Sequence, residues 1–153
     1  MTTPLVYDKA RFHYEGEFPA ELAIEQAFVH TGLYLGWLIE RGLCSAEFLE
    51  NAGELIPQFR AREVTGPAIY QECDGALVDD MLSDEGNAFS RAYYDFETGR
   101  FLADYEQALA RELPSLYHVE DTWENYETLR SLLDFRFGAW RRSHAKQWWQ
   151  FWK

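Results

Sequence analysis

Four histidines, two cysteines and 26 carboxylates are the residues of this 153-residue chain with chemistry to offer. A helical zinc or di-iron site spaces its ligands as HExxH or ExxH, so that two side chains leave one face a turn apart. His13, His30, His118 and His144 stand in no such pattern, and the expectation is no metal and no cofactor. His118, Glu120 and Asp121 make the tightest grouping, but acids at a helix start are the ordinary result of capping and of the helix dipole. Asp79, Asp80, Asp84 and Glu85 form a second cluster, without the loop spacing of an EF-hand. Cys44 and Cys73 are separated by 28 residues and belong to no CxxC pair, which reads as two reduced thiols. No GxSxG, P-loop or glycine-rich dinucleotide fingerprint is present, so nothing nominates a catalytic residue and the chain reads as something other than an enzyme.

The charge carries more information than the motifs. The net is −12, and it is uneven. From Arg136 onward there are five basic residues and no acid, whereas positions 1–135 hold nine basic and 26 acidic residues, a net of −17. Such a body repels nucleic-acid phosphate and anionic lipid and attracts basic partners. The opening MTTPLVYDK lacks the apolar core of a signal peptide, and the longest apolar run, Leu33–Ile39 interrupted by Gly36, is too short to span a bilayer. The expected setting is the cytoplasm, with no membrane span and no nucleic-acid partner.

Cap and stop signals give the elements that must position these groups. Tyr7–Phe18 reads as an extended arm with aromatics at 7, 12, 14 and 18, and it has room for one short strand. Pro19–Arg41 reads as the first long helix, its core-facing stripe formed by Ile24, Phe28, Thr31, Leu35 and Leu38 and widened by Ala27, Tyr34 and Trp37 to more than half its circumference. Gly32 and Gly36 share one face of it. Each costs about 1 kcal/mol of helix propensity, which a closely crossing helix would offset. Ser45, Thr65 and Ser83 look like N-caps of further helices, with breaks at Pro57 and Asp74-Gly75. Trp123, Tyr126, Leu129, Leu133, Phe137 and Trp140 give a second long stripe, expected to pack on the first. The reading is an all-α domain over 1–142 built around two long helices, with an extended N-terminal arm and at most minor β structure. A basic, Trp-rich tail follows at 143–153, which folds back on the domain or a second subunit, or else lies on a membrane surface.

The segments YDKARFHYEGEFP, AFVHTGLYLGWLIE, VTGPAIYQECDGAL, LSDEGNAFSRAYYD and YHVEDTWENYETL, in that order, resemble a family of uncharacterised bacterial proteins, a domain of unknown function. The resemblance runs from Tyr7 to Trp140 and leaves out the tail after Arg142. It implies no activity, cofactor or catalytic residue; some members occupy the gene setting of toxin immunity proteins. Two expectations follow. The first is an acidic binding protein, of the immunity type, that neutralises a basic partner such as a cognate toxin domain through Asp74, Asp79, Asp80, Asp84 and Glu85. The second is a small-ligand binder or enzyme with a pocket opened by Gly32 and Gly36 beside His30, onto which His13 or His118 converges.

Overall fold

A computed structural model describes the backbone of residues 5–151 and the side chains of residues 5–145. Strand β1 (Val6–Lys9) leads directly into a short helix, α1 (Ala10–Tyr14), and pairs antiparallel with β2 (Ala76–Val78). The remaining elements are helical: α2 (Val29–Glu40), α3 (Ala46–Ala52), α4 (Leu55–Arg60), α5 (Gly66–Glu72), α6 (Asp84–Tyr93), α7 (Phe101–Leu109) and α8 (Trp123–Phe151). Three 3-10 turns cover Ile24–Phe28, Asp79–Met81 and Leu116–His118. The fold is all-α with one small two-stranded ribbon, as the sequence led us to expect.

Helix α2 is the axis of the domain. Every residue from Val29 to Ile39 is buried, so the expected burial over more than half the circumference extends to the whole of it. It also begins ten residues later than Pro19. Residues 19–23 form turn and coil, a 3-10 turn follows, and Ile24 is exposed instead of facing the core. Gly42, in the left-handed region at φ 72°, ends the helix in the expected manner.

The close neighbour of the two glycines is α5. A Cβ added to Gly32 would stand 2.7 Å from Pro67 N and 2.9 Å from Pro67 Cβ, while Gly36 abuts Phe59 and Gly66. The expected close crossing is therefore real, but its partner is the Thr65-capped α5, whose own Gly66 meets α2 backbone to backbone. Nor do the glycines open a pocket beside His30, because α5 fills the space they leave. Helix α8 packs against α2 through larger groups: Trp37 Nε1 donates to Asp134 at 2.9 Å, and its ring meets Phe137 edge-on.

Ser45, Thr65 and Ser83 each accept a backbone N–H of the first turn, as caps do. Pro57 does not break a helix; it sits in the first turn of α4, where a missing N–H is harmless, and the break falls at Gly53. Helix α8 continues unbroken through residues 142–143 to Phe151. The side chains of the Trp-rich tail, on which the docked and membrane readings depend, lie outside the described residues. No helix among the described residues is long and apolar enough to cross a membrane.

Candidate functional site

Among the described residues, Asp8, His13 and His30 are the one group of three His, Cys, Asp or Glu side chains close enough together to hold an ion. Strand β1 supplies Asp8. Its pairing with β2 is irregular between Val6 and Asp8, which sets Asp8 opposite Leu77 and turns its carboxylate into the core, where it is 2% exposed. Bulges of this kind commonly re-aim a side chain. Helix α1 starts one residue after β1 and carries His13 back over the same carboxylate. Helix α2 delivers His30, 1% exposed, and Thr31 from its buried first turn.

The distances are short. His13 Nε2 lies 2.8 Å from Asp8 Oδ1 and 3.1 Å from Oδ2. His30 Nε2 lies 3.3 Å from His13 Nε2 and 3.4 Å from Asp8 Oδ2. Thr31 Oγ1 donates to Oδ2 at 2.6 Å, and Tyr94 hydroxyl in turn bonds Thr31. On the outer side Tyr117 hydroxyl is 2.7 Å from His13 Nδ1. Gln26 places that tyrosine, donating to the carbonyls of Tyr117 at 2.8 Å and Val119 at 3.0 Å. Phe96, Tyr105 and Tyr117 wall the two rings, which meet edge-to-face with centroids 4.6 Å apart.

Burial alone would push the Asp8 carboxyl up. The hydrogen bonds from His13 and His30, with the charge those rings can carry, outweigh it and hold the group at about 2. Burial has the upper hand at His30, whose pKa is lowered, with Asp8 pulling the other way. The result is an ionised carboxylate facing a neutral buried imidazole. His30 Nδ1 has no hydrogen-bond partner among the described residues.

His118 takes no part. Its ring bonds Ser115 at 2.8 Å and Glu21 at 3.2 Å, and it lines a groove along α7 with Glu120 and Asn125. Asp121 is turned to Thr65, whose hydroxyl donates to it at 2.6 Å. The acidic residues proposed for a partner lie along the segment that joins α5 to α6. Asp74 is exposed in a left-handed turn at φ 58°, Asp79 and Asp80 are in the 3-10 turn after β2, and Asp84 and Glu85 open α6. Glu85 is held by Arg141 of α8 at 2.8 and 3.0 Å; the other four have no ion-pair partner among the described residues.

Of the interior set, His13 and His30 were legible as candidates, and Asp8 was not. It stands five residues before His13 across a strand–helix junction, a spacing that matches no ligand motif, and only the ribbon register aims it inward.

A family model described as a domain of unknown function, DUF7832, matches residues 6–119, and the chain belongs to that family. The matched span takes in Asp8, His13, His30, Thr31, Tyr94 and Tyr117 and stops before α8. No curated protein and no solved structure matches the chain.

Proposed function

We propose that this member of the family is an acidic binding protein that docks a basic protein partner, in the manner of an immunity protein neutralising a toxin domain. The observation that carries the reading is the state of the surface charge. Seven of the 26 carboxylates take part in ion pairs among the described residues: Asp8, Glu21, Glu40, Glu85, Asp104, Glu127 and Asp134. The other 19 have no such partner, so the fold does not consume its own excess of negative charge. Such a field speeds the encounter with a basic cleft and makes it salt-sensitive. Asp79 and Asp80 in the 3-10 turn after β2 and Asp84 at the start of α6, close in sequence and without an ion-pair partner among the described residues, are the acids we assign to the contact.

The test is binding between this protein and the product of the adjacent gene, followed by biolayer interferometry at about 50 and 300 mM salt, either side of a Debye length of about 10 Å. Association is expected to slow at the higher salt, and an Asp79→Asn/Asp80→Asn/Asp84→Asn variant is expected to associate at least several-fold more slowly. Absence of a complex at low salt overturns the reading.

A further inference from the structure

We infer that Asp8, His13 and His30 form a binding site for one late first-row divalent metal ion of the zinc class. Three ligand atoms equidistant from a tetrahedral ion at about 2.0–2.1 Å stand about 3.3–3.4 Å from one another. With Asp8 Oδ2 as the carboxylate ligand, the triangle has edges of 3.3 Å (His13 Nε2 to His30 Nε2), 3.4 Å (His30 Nε2 to Asp8 Oδ2) and 3.1 Å (His13 Nε2 to Asp8 Oδ2). Two edges already have the length that an ion requires. The third opens by about 0.2–0.3 Å to accept it, a displacement within reach of a side chain on a short helix at the edge of the core.

The donor set fits the same class. Two imidazoles and one carboxylate suit zinc, cobalt and their neighbours, whereas magnesium and calcium take oxygen ligands. Metal-binding groups are held by an outer layer of hydrogen bonds, and two of the three have one. Tyr117 hydroxyl stands on His13 Nδ1, and Thr31, backed by Tyr94, stands on the Asp8 carboxylate. The third, His30, supplies an independent observation. It is fully buried, its Nδ1 has no partner among the described residues, and its Nε2 lies 3.4 Å from the carboxylate that His13 meets at 2.8 Å. The nitrogen it turns to the carboxylate and the other imidazole, Nε2, makes only long contacts with them, at 3.4 and 3.3 Å, which leaves room for an ion between. An ion between them gives Nε2 a strong bond. Nδ1 stays without a partner, so the affinity falls roughly 10–100-fold short of a site whose outer layer is complete. Access is through the His13 edge, where that side chain is 14% exposed.

The inference is independent of any protein partner. Its test is titration of chelator-stripped, full-length protein with Zn²⁺ by calorimetry and with Co²⁺ by visible absorption. One ion per chain is expected, with the intense Co²⁺ bands of four-coordination displaced by Zn²⁺ and unmoved by equal Mg²⁺. His13→Gln abolishes binding, Tyr117→Phe weakens it roughly 10–100-fold, and His144→Gln leaves it unchanged. Zero stoichiometry in the wild type overturns the inference, as does equal affinity in His13→Gln. Should His13→Gln fail to fold, Tyr117→Phe decides, since it removes one hydroxyl at the margin of the core, and unchanged affinity there is equally fatal.

Discussion

Gly32→Ala and Gly138→Ala make the same chemical change in two helices and should have opposite effects. At Gly138, in the middle of α8, the nearest atom to an added Cβ is the tip of Arg142 at 3.4 Å, an ordinary contact with a flexible side chain. Only the helix-propensity gain of about 1 kcal/mol remains, and the variant is stabilised by about that much. At Gly32 the same gain is offset by a clash with Pro67, whose N and Cβ would lie 2.7 and 2.9 Å from the new methyl. Those atoms belong to the ring and backbone of α5, so no rotamer change relieves them. The helices must move apart, which also loosens the contact of Gly66 with Gly32 and Gly36. Overpacking typically costs about 1–3 kcal/mol, and backbone against backbone lies at the upper end or beyond it. A net loss of about 2 kcal/mol is expected. For a domain of this size that lowers Tm by roughly 4–8 °C, against a rise of roughly 2–4 °C for Gly138→Ala. Urea unfolding and thermal melts of the two variants beside the wild type measure both. A Gly32→Ala protein as stable as the wild type would refute the assignment of α5 as the backbone-close partner of α2.

Stability should fall in two stages as pH is lowered. His30 is held neutral in the fold, so below about pH 6.5 the unfolded chain takes up a proton that the native ring resists. Asp8 is depressed from 3.8 to about 2, so its contribution, of order 2 kcal/mol, is present above pH 4 and is lost between about 4 and 2; denaturant midpoints measured from pH 7 to 3 should decline throughout, and a midpoint that rises on acidification would contradict both assignments. Asp104→Ala should cost roughly 2–4 kcal/mol, because the buried carboxylate accepts from Tyr93 at 2.6 Å and from Arg136 at 2.9 and 3.0 Å, and its loss strands both donors. The partial exposure of Arg136 keeps the figure below that of a fully buried pair, and urea unfolding reads it. Burial pushes the Cys44 thiol up to about 12, so Ellman's reagent at pH 8 should titrate it only as fast as the protein opens, while partly buried Cys73 reacts first; the rates in a Cys73→Ser variant separate the two.

Local signals carried the secondary structure a long way. Ser45, Thr65 and Ser83 announced helix starts because a side-chain oxygen satisfies first-turn N–H groups wherever the helix ends up in space. Gly42 marked a helix end for the equally local reason that it accepts a left-handed φ. The paired glycines of α2 announced a close crossing through their spacing alone. Other signals misled. Pro19 has the look of a helix start, yet α2 begins at Val29, because a proline is also at home in turns and only packing decides between the two. The periodicity that places Ile24 on the buried side fails there, because the helix begins only at Val29 and Ile24 is exposed.

By itself, then, the sequence determined the class of fold, most of its punctuation and the imbalance of its charge, since each of these depends on residues a few positions apart or on composition. Which helix the glycines meet, and which side chains meet one another, was decided by the tertiary structure. Asp8 reaches His13 and His30 only because an irregular ribbon register turns it inward and because α1 follows β1 without a loop. Contacts of that kind join segments whose sequence separation carries no periodic signal, and they exist only once the chain has closed around α2.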